Sequence, residues 1–123
     1  MSDQPTTLPG NMRGLTVRWS LADAPDGVEE ALAAYVGDTS HARFTGMDGL
    51  SYKTWRMVPG DWFEGCYVFA DDAARSAFED SFRAVAAESP GSQIIGSSPV
   101  LIEPCAVVSI AEGAAGFEAA ARA

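Results

Sequence analysis

From Arg13 onward the chain alternates: Leu15, Val17, Trp19 and Leu21 are apolar, and Thr16, Arg18 and Ser20 between them are polar. That period of two predicts a strand with one apolar face. Ala24-Pro25-Asp26-Gly27 interrupts it, and Asp26 with Glu29 three residues later has the form of a capping box, which predicts a helix start. Val28, Leu32, Tyr35 and Val36 then fall on one face at helical spacing. Gly37 and Asp38-Thr39-Ser40 end or weaken this helix, so His41 lies either on its last turn or in the loop beyond.

A turn at Gly46-Met47-Asp48-Gly49 leads into the densest aromatic stretch. Tyr52, Trp55, Trp62, Phe63, Tyr67 and Phe69 occupy two alternating runs around Pro59-Gly60-Asp61, which predicts a β-hairpin. Asp71 or Asp72 is placed to cap a second helix whose buried stripe is Ala74, Phe78, Phe82 and Val85. Ser89-Pro90-Gly91-Ser92 reads as its stop. Ile94, Ile95, Val100, Leu101 and Ile102, interrupted by Pro99, predict an edge strand with an irregular start between Gln93 and Pro104.

The resulting order, βαββαβ over residues 13–104, is the ferredoxin-like α+β arrangement of one antiparallel sheet with two helices on one face. Residues 1–12 read as a disordered or loosely packed N-terminal tail. Residues 105–123 read as a C-terminal extension, a short strand plus helix packed on the domain or on a dimer partner. Trp55 and Met57 against Tyr52, and Cys66 and Val68 against Phe63, Tyr67 and Phe69, make both faces of the hairpin apolar. The second face should therefore be buried too, most simply by another copy of the chain in a homodimer.

Composition narrows the function. A chain of 123 residues with 47% hydrophobic side chains is one domain with a real core. A net charge of −9 argues against nucleic acid and against an anionic membrane surface, since neither finds a basic patch. No apolar run reaches the roughly 18 residues of a membrane span, and the polar start MSDQPTTLPGN lacks the blocks of a signal peptide. The expected location is cytoplasmic. Cys66 and Cys105 lack ligand spacing, so they are expected to be buried thiols and no metal site is expected.

The signatures GLSYKTW and EGCYVFAD, with a helix after the second, resemble the YdhR-like monooxygenases of the dimeric α+β-barrel superfamily. Gly49, Tyr52, Lys53 and Trp55 match that family's Gly-x-x-aromatic-Lys-x-Trp strand. Gly65, Tyr67, Phe69 and Asp71 match its Gly-Gly-x-Tyr-Leu-Phe-x-Asp strand, and Glu103-Pro104 resembles the Glu-Pro that closes its last strand. The match departs at Glu64, where the family has the first glycine of the second motif, and the segment from Gly37 to Met47 has no close counterpart. The resemblance implies a dimeric α+β barrel that oxidises a phenol, anthrone or quinol with dioxygen and needs no bound cofactor.

Such chemistry requires an apolar pocket, a group that takes a proton, and hydrogen bonds that hold the resulting anion. Trp55 is the expected platform for an aromatic substrate and Tyr67 the expected donor to its oxygen, against the alternative that both are core or interface aromatics. Tyr52 and Trp19 are further substrate-binding candidates with core packing as the competing role. His41, the only histidine, is the candidate for proton transfer, against a surface position suggested by its polar neighbours. Arg18 and Arg56 are directed to the other face of the sheet, to bind an anionic substrate or to pair with a carboxylate at a dimer interface. Lys53 is either part of the motif's site or an edge-strand charge that blocks aggregation. Glu29-Glu30, Asp71-Asp72 and Glu79-Asp80 read as caps and solubilising charge. Two other readings fit the same residues: a polyketide-type cyclase or isomerase without oxygen, and a non-catalytic ligand-binding or structural dimer.

Overall fold

The computed structural model describes residues 11–116. Most of the N-terminal tail, and residues 117–123 of the C-terminal extension, lie outside that range. Four strands, β1 (Arg13–Ser20), β2 (Leu50–Val58), β3 (Trp62–Phe69) and β4 (Leu101–Ala106), form one sheet in the order β2-β3-β1-β4, with every pairing antiparallel. The helices are α1 (Val28–Tyr35), α2 (His41–Phe44), α3 (Asp72–Val85) and α4 (Pro90–Ile95). This is the ferredoxin-like α+β fold that the order of elements predicts.

The alternation in β1 is realised directly. Leu15, Val17, Trp19 and Leu21 are all buried, and they pack with Phe63, Tyr67 and Phe69 of β3 against Val28, Leu32, Phe44 and Ile95. Each such side chain contributes about 1.5–3 kcal/mol by leaving water, so this face of the sheet holds the fold together. Phe78 and Phe82 of α3 complete it, with Phe78 4.8 Å from the Tyr67 ring and Phe82 edge-on to Trp19.

Several helix boundaries differ from the sequence reading, each for a local reason. Gly27, not Asp26, stands at the start of α1 with φ 82°, and no side chain caps it. Glu29 instead reaches across to accept from the Gly60 amide at 2.9 Å, tying α1 to the β2–β3 turn. Gly37 does not end the helix: a π-helical turn, Val36–Ser40, joins α1 to α2 and carries His41 into a helix. Asp71 caps α3 by accepting from the Ala74 amide at 2.8 Å, as expected.

Ser89-Pro90 starts α4 where a stop was expected. The Ser89 hydroxyl accepts from the Ser92 amide and Pro90 occupies the first turn, where its missing N–H costs nothing. Ile94 and Ile95 are therefore helical, and the last strand starts only at Leu101. β4 runs on through Cys105 and Ala106, residues 107–116 form neither strand nor helix, and the alanine-rich end where a helix is expected extends into residues 117–123, outside the described range.

Candidate functional site

Strand parity separates the sequence candidates onto two faces. On β2, Lys53, Trp55 and Met57 point to the helix side with Tyr67 and Gly65 opposite, while Tyr52, Thr54 and Arg56 point to the open side with Glu64 and Cys66 opposite. Arg18 of β1 also faces the open side, in register with Glu64. Trp55, Tyr67 and Trp19 thus share a face, and Tyr52 and Arg18 lie across the sheet from them. No single pocket can use all of the substrate-binding residues expected from the sequence.

The helix side contains a cavity of about 280 Å³ between the sheet, α2, α3 and α4. Its walls are Phe44, Lys53, Trp55, Tyr67, Phe78 and Phe82, with Trp19 at the α4 end. Arg43, Ser81, Val85 and Glu88 also line it and are exposed, so they mark its mouth. Val85 is 51% exposed and belongs to this rim, not to the buried stripe that the spacing suggested. The volume lies just below the roughly 300–1,000 Å³ of small-molecule pockets, which suits a ligand of one or two rings.

Lys53 is the chain's single lysine, and its amine is set inside this wall. Its Nζ lies 3.6 Å from the ring centroid of Phe44, 4.3 Å from Tyr67 and 4.5 Å from Trp55. The ring faces attract an ammonium. Burial in the apolar wall opposes it more strongly, the Arg43 charge adds to that, and together they lower the amine to about 6 from an ordinary 10.5. At neutral pH the cavity therefore presents a free amine. The edge-strand role as a solvated charge does not hold for this residue.

Gly65 explains how the amine fits. A Cβ there would stand 3.2 Å from Lys53 Cε and 3.3 Å from Tyr67 Cε1, with the Tyr67 hydroxyl at 3.5 Å. The glycine leaves the hole in the sheet over which both side chains lie. Tyr67 is 5% exposed and stacks on Phe69 at 5.9 Å. Its burial raises the phenol well above the usual range, so the hydroxyl keeps its proton and is available as a hydrogen-bond donor.

The other candidates take clearer structural parts. Trp19 donates its indole N–H to Ser92 Oγ at 3.0 Å, and its ring lies against Gly91, where a Cβ would meet it at 3.0 Å. It is an end wall whose polar atom is already engaged. His41 stands behind Trp55, ring centroids 6.0 Å apart, and its Nδ1 lies 3.4 Å from the Thr45 hydroxyl. It lines a second, outer groove of about 840 Å³ along the β2 edge, which Phe44, Lys53, Trp55 and Phe63 separate from the inner cavity.

On the open face Glu64 is fully buried and receives Arg18 at 2.8 Å from one side and Arg56 from the other, with the Cys66 thiol donating at 3.1 Å. Burial alone would raise its carboxyl, but the hydrogen bonds from Cys66, Arg56 and Arg18 prevail and hold it below the usual carboxylate range. The two arginines pair within the chain. Arg18 also lies 4.1 Å over the Trp62 ring. The glutamate that departs from the resembling motif is thus the shared acceptor of a cross-strand ion triplet.

Two further expectations are corrected. Cys105 is exposed and Cys66 partly so, and both are free thiols. Glu79 is buried and bridges Arg75 and Arg83 along α3, where a solvated charge was expected. Lys53 was the site residue that sequence reasoning left undecided. Its parity with Trp55 and Met57 and its being the chain's only lysine were the signals available.

Among the described residues no cluster of three or more histidine, cysteine, aspartate or glutamate side chains could hold a metal ion, and no helix is long and apolar enough to cross a membrane. No protein-family model and no curated protein matches the chain. Its fold is similar to the crystal structure of a protein of unknown function from Nitrosomonas europaea, with 24% identity and a TM-score of 0.58 over 85% of this chain and 96% of that one. A candidate antibiotic biosynthesis monooxygenase from Chloroflexus aurantiacus aligns at 16% identity and a TM-score of 0.45, over 85% and 99% of the two chains. The first of these likenesses establishes a shared ferredoxin-like α+β fold, and the chemistry has to be read from the cavity.

Proposed function

We propose that the chain is a monooxygenase of the YdhR-like kind, acting on a small phenol, anthrone or quinol in the inner cavity without a bound metal or flavin. The observation that carries this reading is the Lys53 amine held over the rings of Phe44, Tyr67 and Trp55, with the Tyr67 hydroxyl converging on the same point beside Gly65. Lys53 is the base in place of His41, which lies outside the cavity.

In this reading the substrate ring rests on Trp55, and the Tyr67 hydroxyl donates to the substrate oxygen. Lys53 takes a proton from the phenolic O–H or the activated C–H, and the apolar walls keep water from returning it. For an anthrone-type CH2 the resulting anion gives electrons to dioxygen and a C–O bond forms. The hydroperoxide then loses water, so one oxygen atom stays as the new carbonyl and the other leaves as water. The substrate supplies all four electrons.

Lys53 would serve equally as a base in an isomerisation or cyclisation that uses no oxygen, and one experiment separates the two. Oxygen uptake by metal-free protein is measured against anthrones, quinols and phenols, and product mass is compared in air and under nitrogen. Uptake with one added oxygen atom in the product supports the monooxygenase. Conversion under nitrogen selects the acid–base enzyme, and silence in both atmospheres selects a ligand-binding role. We further propose that the open sheet face pairs with that of a second copy to make a homodimer, because Tyr52 (37% exposed), Val58 (42%) and Leu101 (37%) lie there beside the ion triplet.

A further inference from the structure

We propose that Lys53 also captures a small aromatic aldehyde or ketone covalently, as a reversible imine formed inside the inner cavity. The inference rests on reading that cavity as a small-aromatic site, but not on any reaction with dioxygen. Three features of the wall support it.

The first is position. The Nζ atom lies over the rings of Phe44, Tyr67 and Trp55, in a cavity whose mouth is rimmed by exposed residues. An aromatic carbonyl compound whose ring occupies the apolar space between Phe44, Trp55 and Tyr67 can bring its carbonyl carbon to the amine that stands over those rings. The second is protonation. Arg43 faces the amine from α2 and Tyr67 from β3, the Cys66 thiol lies on the other side of the sheet, and Tyr35 and Glu88 line the same cavity from α1 and the turn after α3. His41 lies on the outer groove, its ring centre 6.0 Å from that of Trp55. Arg43 and the loss of water favour the free amine, which is the nucleophile in imine formation.

The third is the neighbour of the amine. Gly65 lets the Tyr67 hydroxyl and the Lys53 stem approach the same point of the sheet. The hydroxyl can then donate a hydrogen bond to the carbonyl oxygen during attack. The amine nitrogen forms a bond to the carbonyl carbon, giving a carbinolamine. Both amine protons pass to the former carbonyl oxygen, which leaves as water, and a C=N bond remains. No oxidant or reductant is needed, and water entering through the mouth reverses the step.

The chain makes the test unusually clean, because its only primary amines are Lys53 and the N-terminal α-amine. The 123-residue chain is incubated under nitrogen at pH 7 with 2-naphthaldehyde and sodium cyanoborohydride, and the reduced adduct is mapped by peptide mass spectrometry. The expected result is one adduct on Lys53, formed at least about tenfold faster than on N-acetyl-lysine under the same conditions. Excess 2-naphthol should suppress it by filling the cavity. A rate equal to that of N-acetyl-lysine, an adduct confined to the α-amine, or labelling indifferent to 2-naphthol overturns the proposal. Tyr67→Phe, which keeps the ring, should slow trapping while leaving the fold intact, and unchanged trapping in that variant removes the hydroxyl from the step. Trapping without oxygen uptake supports the imine and contradicts the oxygenation reading. Uptake without trapping does the reverse.

Discussion

At the scale of single residues, the Lys53 amine costs stability where it sits. A lysine held at about 6 in the folded chain and near 10.5 unfolded binds fewer protons when folded, so stability rises with pH between those values and is flat below about 6. Lys53→Met should abolish that slope and raise stability at pH 7 by about 1–3 kcal/mol, as denaturant titrations at several pH values will show. The same variant should lose at least about 100-fold in oxygen uptake. Wild-type uptake should fall as pH drops through about 6, and His41→Ala should keep that limb. Gly65→Ala is the complementary change. Its Cβ would press on Lys53 Cε at 3.2 Å and on the Tyr67 ring at 3.3 Å, so aromatic-ligand affinity measured by fluorescence should weaken about tenfold in a folded protein.

The scale of elements shows where local sequence was readable and where it was not. The face of β1 was legible because Leu15, Val17 and Trp19 alternate with polar residues and nothing competes with that pattern. Trp55 and Tyr67 were singled out by the motif, and the β2–β3 register puts both on the helix side of the sheet. Lys53 could not be settled, because a lysine on an edge strand has the same signature whether its amine is solvated or caged. Only the placement of Phe44 by the π-helical turn decides between the two. Ser89-Pro90 was ambiguous for a different reason: the pair that ends one helix is also a good start for the next. Glu64 needed the register, since its two arginines come from strands 46 and 8 residues away. One element-level device is open to direct test. Gly49 has φ 81°, and a Cβ there would approach that of Ala74 to 2.8 Å, so the glycine lets the start of α3 lie against the start of β2. Gly49→Ala should cost about 1–3 kcal/mol in thermal or denaturant unfolding.

For the whole molecule, the sheet divides the inner cavity from the face on which we propose that a second copy docks. Helices cover one face and enclose the cavity, while the other carries the Arg18–Glu64–Arg56 triplet among exposed apolar side chains. If a second copy covers that face, sedimentation at micromolar concentration should give twice the chain mass. Tyr52→Glu, which adds a carboxylate there without touching the inner cavity, should shift the species toward monomer. Monomeric wild-type protein would remove the dimer. Because the cavity is built within one chain, its ligand binding should survive in the monomeric variant.

The most direct test of the central claim uses the fact that Lys53 has no other lysine to be confused with. Protein carrying lysine labelled with carbon-13 at the ε position gives one lysine signal, whose shift can be followed from pH 5 to 11 by NMR. A midpoint near 6 means that the cavity holds a free amine at neutral pH, as both base and imine chemistry require. A midpoint near 10.5 would mean a solvated ammonium, and both the base and the imine would fall with it.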